Sequence, residues 1–214
     1  MTPSQESEFR PQDIRVDLLL IADMIPAGSR VLDVGCGDGV LMDYLVRERG
    51  ADARGVELSQ SGVNACVARG LSVVQGDADT DLRDYPSKAF DYVILSQTLQ
   101  ATRQPREVLR EMLRIGARAI VSFPNFGYWR VRSQLFFRGR MPNTGTLDHP
   151  WYATPNIHLC TIRDFIVLCD DLGLTVERML PINIAGSPMG GGTPLWYVNL
   201  FADQGLFVLR QNGT

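Results

Sequence analysis

The sequence predicts a doubly wound, Rossmann-like α/β fold built on a mostly parallel seven-stranded sheet. Short apolar strands alternate with amphipathic helices, the pattern of a parallel sheet covered on both faces. A glycine-rich loop joins the first strand to the next helix. The chain has 214 residues, of which 45% are hydrophobic, enough for one core. Right-handed crossovers then favour the doubly wound topology, and we expect a single domain over residues 1–214.

The predicted elements follow in a regular order after a polar tail, residues 1–10. A helix is predicted to begin at Pro11, to place Ile14, Leu18, Ile21 and Ile25 on one face, and to end at Pro26. The remaining elements of this half are strands at 30–34, 53–57, 71–75, 90–95 and 119–123, and helices at 40–49, 61–69 and 107–115.

The second half of the chain is less regular. Residues 125–158 are rich in aromatic residues, arginine and proline, which predicts an insertion or a lid. Thr161 is the predicted cap of a helix that ends near Leu172. The remaining predicted elements are a strand at 174–180, a flexible glycine-rich loop at 186–194 and a last pair of strands at 195–201 and 206–210.

The composition excludes several classes of function. The formal net charge of −3 gives no basic surface for nucleic acid. The four cysteines and two histidines are scattered without zinc spacing, so no metal site is expected. The N-terminus lacks the pattern of a signal peptide, and no apolar run approaches the length of about 20 residues that spans a bilayer. We therefore expect a soluble cytoplasmic protein with reduced thiols and no membrane contact.

The glycine-rich loop carries the main functional signal. Gly35, Gly37 and Gly39 follow the first strand, where bare backbone can turn sharply and approach a ligand. A dinucleotide fingerprint would need glycine where the chain has Val40. Asp33, two residues before the loop, would repel a pyrophosphate but suits a ligand with a cationic amino-acid end and a sulfonium. The pattern thus predicts S-adenosyl-L-methionine (SAM) or S-adenosyl-L-homocysteine (SAH) as the ligand, with Cys36 a small loop residue at the site.

Further acidic residues end the next two predicted strands. Glu57, followed by Leu58, stands about 20 residues beyond the loop, where an acid binds ribose hydroxyls. Asp77, followed by Ala78, ends the third strand, where a carboxylate can accept from an adenine amino group. The alternative for these acids is ordinary capping of the following helices, and Asp79 and Asp81 could cap in place of Asp77. Ser96 completes the predicted cofactor-binding residues at the end of the fourth strand.

Two residues are candidates for a catalytic role. Gln97 lies just past the fourth strand, where a transferable methyl group would point, although residues 96–98 could simply begin a helix. His158 could act as a general base, or be a hydrogen-bonded histidine ahead of the cap at Thr161. Methyl transfer by direct displacement at the sulfonium depends mainly on orienting the acceptor, so the absence of an obvious base does not exclude it.

The aromatic residues and the arginines of the second half of the chain each allow two interpretations of their role. The first group, which could wall a substrate pocket or pack in the core, is Trp129, Trp151 and Tyr152. The second group, which could hold an anionic substrate or partner or form a solvated helix face, is Arg130, Arg132, Arg138 and Arg140.

The motifs resemble those of class I SAM-dependent methyltransferases over about residues 14–125. A closer resemblance, to the methionine biosynthesis protein MetW family, lies in five stretches: 94–101 (ILSQTLQA), 111–116 (EMLRIG), 121–132 (VSFPNFGYWRVR), 139–142 (GRMP) and 154–162 (TPNIHLCTI). This resemblance implies the class I methyltransferase fold and a role in methionine biosynthesis with homoserine O-acetyltransferase as partner. It leaves two functions open, a SAM-sensing or scaffolding subunit and a stand-alone methyltransferase acting on a small molecule.

Overall fold

The computed structural model describes residues 14–144, 146–147 and 149–212. The strands are β1 (Arg30–Val34), β2 (Asp52–Glu57), β3 (Ser72–Gln75), β4 (Phe90–Ser96), β5 (Gly116–Pro124), β6 (Leu174–Ile182) and β7 (Gln204–Gln211). The α-helices are α1 (Val16–Asp23), α2 (Val40–Arg49), α3 (Gln60–Ala68), α4 (Pro105–Ile115), α5 (Trp129–Arg138), α6 (Ile162–Asp171) and α7 (Leu195–Phe201).

The seven strands form one sheet in the order β3-β2-β1-β4-β5-β7-β6. Strands β1 to β5 are parallel, whereas β7 runs antiparallel to both β5 and β6. The chain order reverses between β1 and β4, and in open α/β sheets ligands bind at such a reversal, at the carboxyl ends of the strands. The predicted doubly wound, mostly parallel seven-stranded sheet is confirmed.

Helices cover both faces of the sheet because alternate strand residues point to opposite sides. Val31 of β1 packs with the buried faces of α1, α2 and α3, whereas Leu32 packs with those of α4, α6 and α7. Asp33 therefore follows Val31 onto the face that α1 and α2 cover. This alternation directs its carboxyl into an apolar layer, close to the start of the glycine-rich loop.

Two helix starts follow their local sequence. Pro105 begins α4, where the missing N–H costs nothing, and the helix buries one apolar side. Thr161 caps α6 as predicted, because its side chain accepts from the backbone N–H of Asp164 while the Asp164 carboxylate accepts from that of Thr161.

The predicted strand at residues 195–201 is wrong, since this segment is helix α7. Its aromatic and branched residues favour a strand locally, but β7 occupies the edge of β5 where that strand would pair. Pro194 sets up the first turn instead, and Val198 turns towards the core. The other predicted member of that pair is strand β7.

Two other segments differ from the expectation. The first helix begins at Val16, and the predicted start at Pro11 lies outside the described residues. Residues 125–158, predicted as an insertion or lid, contain helix α5. Among the described residues no helix is long and apolar enough to cross a membrane.

Asn125 connects the elements that follow β5. Its amide nitrogen donates to the carbonyl oxygens of Asn199 at 3.0 Å and Ala202 at 2.8 Å, at the end of α7. Its amide oxygen accepts from the backbone N–H of Gly127 at 2.9 Å and of Ile162 at 3.3 Å, at the start of α6. Since Asn125 is only 1% exposed, water cannot replace these bonds.

We expect Asn125→Ala to lower the free energy of unfolding by about 3 kcal/mol, because it leaves buried backbone groups without partners. Urea unfolding at neutral pH measures the change. Asn64→Ala, at an exposed residue that is bonded to Gln60 on α3, serves as the control and should change stability by less than about 0.5 kcal/mol. Equal effects of the two substitutions would contradict the role assigned to Asn125.

Candidate functional site

The three loop glycines all have positive φ, at 73° for Gly35, 58° for Gly37 and 79° for Gly39. A Cβ atom on Gly35 would lie 2.7 Å from the hydroxyl oxygen of Thr98, and one on Gly39 would lie 2.6 Å from Leu71. Packing against neighbouring elements thus requires glycine at these two positions. A Cβ on Gly37 would meet no atom within 4 Å. Gly37 is therefore the glycine whose backbone borders open space.

Cys36 lies on the inner side of the loop. Its sulfur is 3.8 Å from that of Cys66, and burial raises the pKa of the Cys36 thiol. The Cys66 thiol in turn donates to the carbonyl of Gly37 at 3.4 Å. A buried thiol with a raised pKa is a poor nucleophile, so Cys36 packs the loop, as predicted. Among the described residues, no three histidine, cysteine or acidic side chains come together as a metal site.

Asp33 is the most perturbed acid of the site. Its residue is 2% exposed, and its carboxyl receives no hydrogen bond from the part of the chain that the structure describes. Burial, and secondarily the negative charge of Glu57, raises the pKa of Asp33 to about 7. An ionised carboxyl in this position is unstable until a cation or hydrogen-bond donor reaches it. Asp33 thus fits the cationic end of a ligand.

Glu57 joins the end of β2 to the glycine-rich loop. One carboxylate oxygen accepts from the backbone N–H of Gly37 at 2.9 Å. The other accepts from the backbone N–H of Ser59 at 2.9 Å and from its hydroxyl at 2.7 Å. These bonds hold the carboxylate beside the open position at Gly37. Leu58, the next residue, is 66% exposed and offers an apolar surface at the same edge.

Asp77 has two protein partners at the end of β3. One carboxylate oxygen accepts from the backbone N–H of Asp79 at 2.9 Å, and the other forms an ion pair with Arg103. Asp79 accepts from the backbone N–H groups of Arg103 and Gln104, immediately ahead of α4. An adenine amino group at Asp77 would compete with Arg103. Ala78, beside Asp77, is half-buried against the core.

The end of β4 lies next to the glycine-rich loop. The hydroxyl oxygens of Ser96 and Ser122 are 3.2 Å apart. Gln97 has a φ of 53°, which is rare for a residue with a side chain, and its side-chain amide donates to that of Gln204 at 2.9 Å. Such strained backbone is common at functional sites. Here it turns Gln97 away from β4 towards β7 and into the wall of a cavity.

That cavity, of about 680 Å³, is the feature of this edge that the sequence reasoning missed. We call it the polar cavity. Most of the residues that line it are polar, and the walls come from five separate segments, including the turn before α1 and the residues between β6 and α7. The polar and charged residues around it are Arg15, Asp17, Gln97, Gln100, Thr146, His149, Asn156, Asn183, Asp203 and Gln204. Since only Gln97 of these was a candidate, the individual segments held no recognisable signal.

His158 lies outside the polar cavity. It is exposed, its backbone N–H donates to the carbonyl of Gln100 at 2.9 Å, and its ring nitrogen Nε2 lies 3.4 Å from the carbonyl oxygen of Arg103. Trp151 and Tyr152 are 72% and 75% exposed, which excludes the alternative that they pack in the core. The arginines with two possible roles, at an anion or partner site or on a solvated helix face, are all exposed, and three of them lie on α5: Arg130, Arg132, Arg138 and, beyond the helix, Arg140.

The family is decided by the match of the whole sequence. Residues 15–209 match the family described as "Methionine biosynthesis protein MetW". The chain belongs to the MetW family. A relative of this MetW-family chain is the "Bifunctional methionine biosynthesis protein MetXA/MetW" of Rhodopirellula baltica, 40% identical over 180 residues. The alignment covers 78% of this chain but only 29% of that relative.

Other similarities define the fold of the MetW-family chain. The ubiquinone biosynthesis O-methyltransferase of Aeromonas salmonicida is 28% identical over 198 residues, 84% of this chain and 79% of that one. The structure of an S-adenosylmethionine-dependent methyltransferase from Mesorhizobium loti superposes with a TM-score of 0.66 at 18% identity, covering 92% of this chain and 98% of that one. The chain has the fold of SAM-dependent methyltransferases, for which SAM or SAH binding is expected.

The raised pKa of Asp33 gives a pH-dependent prediction for the MetW-family chain. A folded-state pKa of about 7, against 3.8 for the free group, means that folding favours the protonated carboxyl. The stability contributed by Asp33 is full below pH 4 and falls as the pH rises towards 7. Asp33→Asn removes this loss, so we expect the variant, without ligand, to be more stable than wild type at pH 8 by on the order of 3 kcal/mol.

Urea unfolding of both proteins at pH 5 and pH 8 checks this expectation. The advantage of Asp33→Asn should shrink towards pH 5, where the wild-type carboxyl is protonated. Asp91→Asn is the matched control, because hydrogen bonds from exposed Arg30 lower the pKa of Asp91. The Asp91→Asn variant should be no more stable than wild type at pH 8. The free energy of unfolding of wild type should fall relative to that of Asp33→Asn between pH 5 and pH 8. A rise instead would refute the conclusion that the Asp33 carboxyl is buried without a partner.

Proposed function

We propose that this chain binds SAM and SAH at the carboxyl ends of β1, β2 and β3, and acts in methionine biosynthesis as a subunit that works with homoserine O-acetyltransferase. The observation that carries the binding proposal is the buried carboxyl of Asp33 beside the open backbone at Gly37. A buried acid that lacks a partner destabilises the folded chain, and a cationic ligand offsets that cost.

The chain's residues would hold the cofactor in three parts. Asp33, with the loop residues Gly35, Cys36 and Gly37, would face the methionine end. Glu57 would accept from the ribose hydroxyls, and Leu58 would cover the apolar face of the base. Asp77, Ala78 and Ser96 complete the set, with Asp77 reaching the adenine amino group only if Arg103 moves aside. When bound, SAM supplies a sulfonium whose methyl group is open to displacement.

The relative from Rhodopirellula baltica supports the choice of partner. Its name joins MetXA, which corresponds to homoserine acetyltransferase, to MetW, and only 29% of its length aligns with this chain. Covalent linkage keeps two domains at high effective concentration, as suits domains that act together. A MetW-family chain that acts with this partner needs a surface that contacts it.

Exposed aromatic residues provide such a surface. We define the aromatic surface as Trp129, Phe136 and Phe137 of α5. Phe136 and Phe137 are 84% and 80% exposed, and Trp129 and Phe137 line one hollow together with Arg130 and Arg138. Aromatic residues with arginine are typical of protein interfaces. The acetyltransferase is the occupant that we assign to this surface.

A second function, a stand-alone methyltransferase acting on a small molecule, is favoured by the polar cavity beside Gln97. The similarity to an O-methyltransferase over 84% of the chain supports it as well. The two functions differ in what SAM does. A subunit changes the activity of the acetyltransferase when SAM binds. A stand-alone enzyme transfers the methyl group of isotope-labelled SAM to an acceptor when the acetyltransferase is absent.

Calorimetric titration with SAH tests the binding site through a matched pair of glycines. Gly37 and Gly50 both have a φ of 58°, and a Cβ on either would meet no atom within 4 Å. Alanine should cost about 1 kcal/mol of stability at each position. Only Gly37→Ala places its methyl group in the proposed crevice, and we expect it to weaken SAH binding at least about tenfold, or 1.4 kcal/mol. Equal SAH affinity in Gly37→Ala and Gly50→Ala would reject the placement.

Co-purification with homoserine O-acetyltransferase tests the partnership. We expect a complex with wild type, and at least about tenfold weaker binding for Phe136→Ser/Phe137→Ser, because such exposed aromatics are the side chains that dominate interfaces. Val67→Ser, at a 61% exposed residue of α3, is the control and should bind as wild type does. The proposal also predicts that acetyltransferase activity depends on this chain and changes on addition of SAM. If Phe136→Ser/Phe137→Ser binds the acetyltransferase as tightly as wild type does, this surface is excluded. If wild type forms no complex, the partnership is excluded.

A further inference from the structure

The polar cavity contains a buried hydrogen-bond acceptor whose role the proposed cofactor site does not explain. Gln100 is 6% exposed, and its side-chain nitrogen donates to the carbonyl of Gln97 at 2.7 Å. Its side-chain oxygen Oε1 is buried and receives no hydrogen bond from the described residues. Leaving a buried amide oxygen without a donor costs about 1–3 kcal/mol. A bound ligand with an N–H or O–H group would remove that cost.

Asp203 adds a second buried acceptor to the same cavity. The residue is 5% exposed, and its carboxylate accepts one hydrogen bond from the described residues, from the hydroxyl of Thr146 at 3.3 Å. Burial raises the pKa of Asp203, while the bond from Thr146 and the charge of Arg130 oppose the rise. An isolated buried carboxylate favours a cationic partner over a neutral hydroxyl.

The remaining charges of the cavity are already paired. Asp17, 5% exposed, receives a two-pronged contact from Arg15, with Nε at 3.0 Å from one carboxylate oxygen and Nη2 at 2.5 Å from the other. Hydrogen bonding to Asp17, with the negative charges of Asp17 and of Asp38 in the glycine-rich loop, raises the pKa of Arg15. Of the described carboxylates that line the cavity, Asp17 is thus paired with Arg15, whereas Asp203 forms no ion pair within 4 Å with a described residue.

We propose that the polar cavity binds a small molecule carrying a primary ammonium group, with Gln100 Oε1 and the Asp203 carboxylate as its acceptors. This inference rests on the proposed function in one respect, namely the position of the cavity beside the cofactor crevice. The bound molecule would be either the methyl acceptor or a second ligand that is sensed together with SAM. An ammonium group supplies three donors and one positive charge, so it can donate to both acceptors and give the Asp203 carboxylate a cationic partner. A hydroxyl alone would leave the charge of Asp203 buried.

Matched pairs of probes test the proposal on the full chain, with calorimetry or ligand-observed NMR as the readout. The pairs are L-homoserine and its deamino analogue, L-methionine and its deamino analogue, and butylamine and butanol. We expect the amine of at least one pair to bind about tenfold more tightly than its partner, the effect of one charge-assisted hydrogen bond. The proposal is overturned if every amine binds no better than its amine-free partner, or if none binds at millimolar concentration. Gln100 Oε1 would then accept a hydrogen bond from water only.

Two variants link the preference to its residues. Gln100→Met keeps the shape of the side chain without the oxygen, and Asp203→Asn removes the charge; each should abolish the preference for the amine. Gln60→Met, at an exposed glutamine on α3, is the control and should keep it. If Gln100→Met does not fold, Asp203→Asn still decides the outcome. A preference that survives in both folded variants contradicts the assignment.

Titration of the same proteins with SAH separates the two proposals. A wild type that binds SAH but shows no preference for an amine would defeat this inference alone. An amine preference in a wild type that binds no SAH would defeat the proposed function and leave the polar cavity as an amine site. Titrating the amine with SAH present then shows whether the two ligands are bound together.

Discussion

The buried carboxyl of Asp33 is the constraint on which the arrangement of this molecule depends. It lies on the sheet face that α1 and α2 cover, and burial holds its pKa near 7. An apolar side chain at the same position would suit the packing of Val31 and Met42 better, since the carboxyl gains no hydrogen bond from the described residues. The fold therefore accepts a local loss of stability here. Such a loss is the usual mark of a residue placed for a ligand.

Local sequence patterns predicted the strand and helix on either side of the glycine-rich loop well. The bounds of β1 and α2 agree with the predicted residues 30–34 and 40–49, because a buried strand, a glycine loop and an amphipathic helix each have their own periodicity. The close approach of Thr98 to Gly35 was not predictable in the same way. It depends on how β4 lies beside β1, and that contact joins residues far apart in the chain.

The second half could be predicted less well because its structure depends on contacts between distant segments. The segment 195–201 has the composition of a strand, yet Asn125 holds the end of it as a helix through the carbonyls of Asn199 and Ala202. The polar cavity was invisible for the same reason, since its walls come from five segments. Gln100 reads as an ordinary glutamine in the sequence. Only its burial, with one end bonded to Gln97 and the other end free of donors among the described residues, sets it apart.

Residues 125–158 connect the features that the proposals treat separately. The stretch begins at the buried Asn125, and its end is fixed by Gln100, whose carbonyl accepts from the backbone N–H groups of Ile157 and His158 at 2.9 Å each. Between these anchors, the same stretch contributes Thr146 and Asn156 to the polar cavity and all of the aromatic surface. A contact made in the cavity and a contact made at the surface are therefore separated by only a few covalently joined residues. If a ligand orders the cavity wall, the segment that the proposed partner touches is restricted with it through these shared residues, as the proposed ligand-sensing subunit requires.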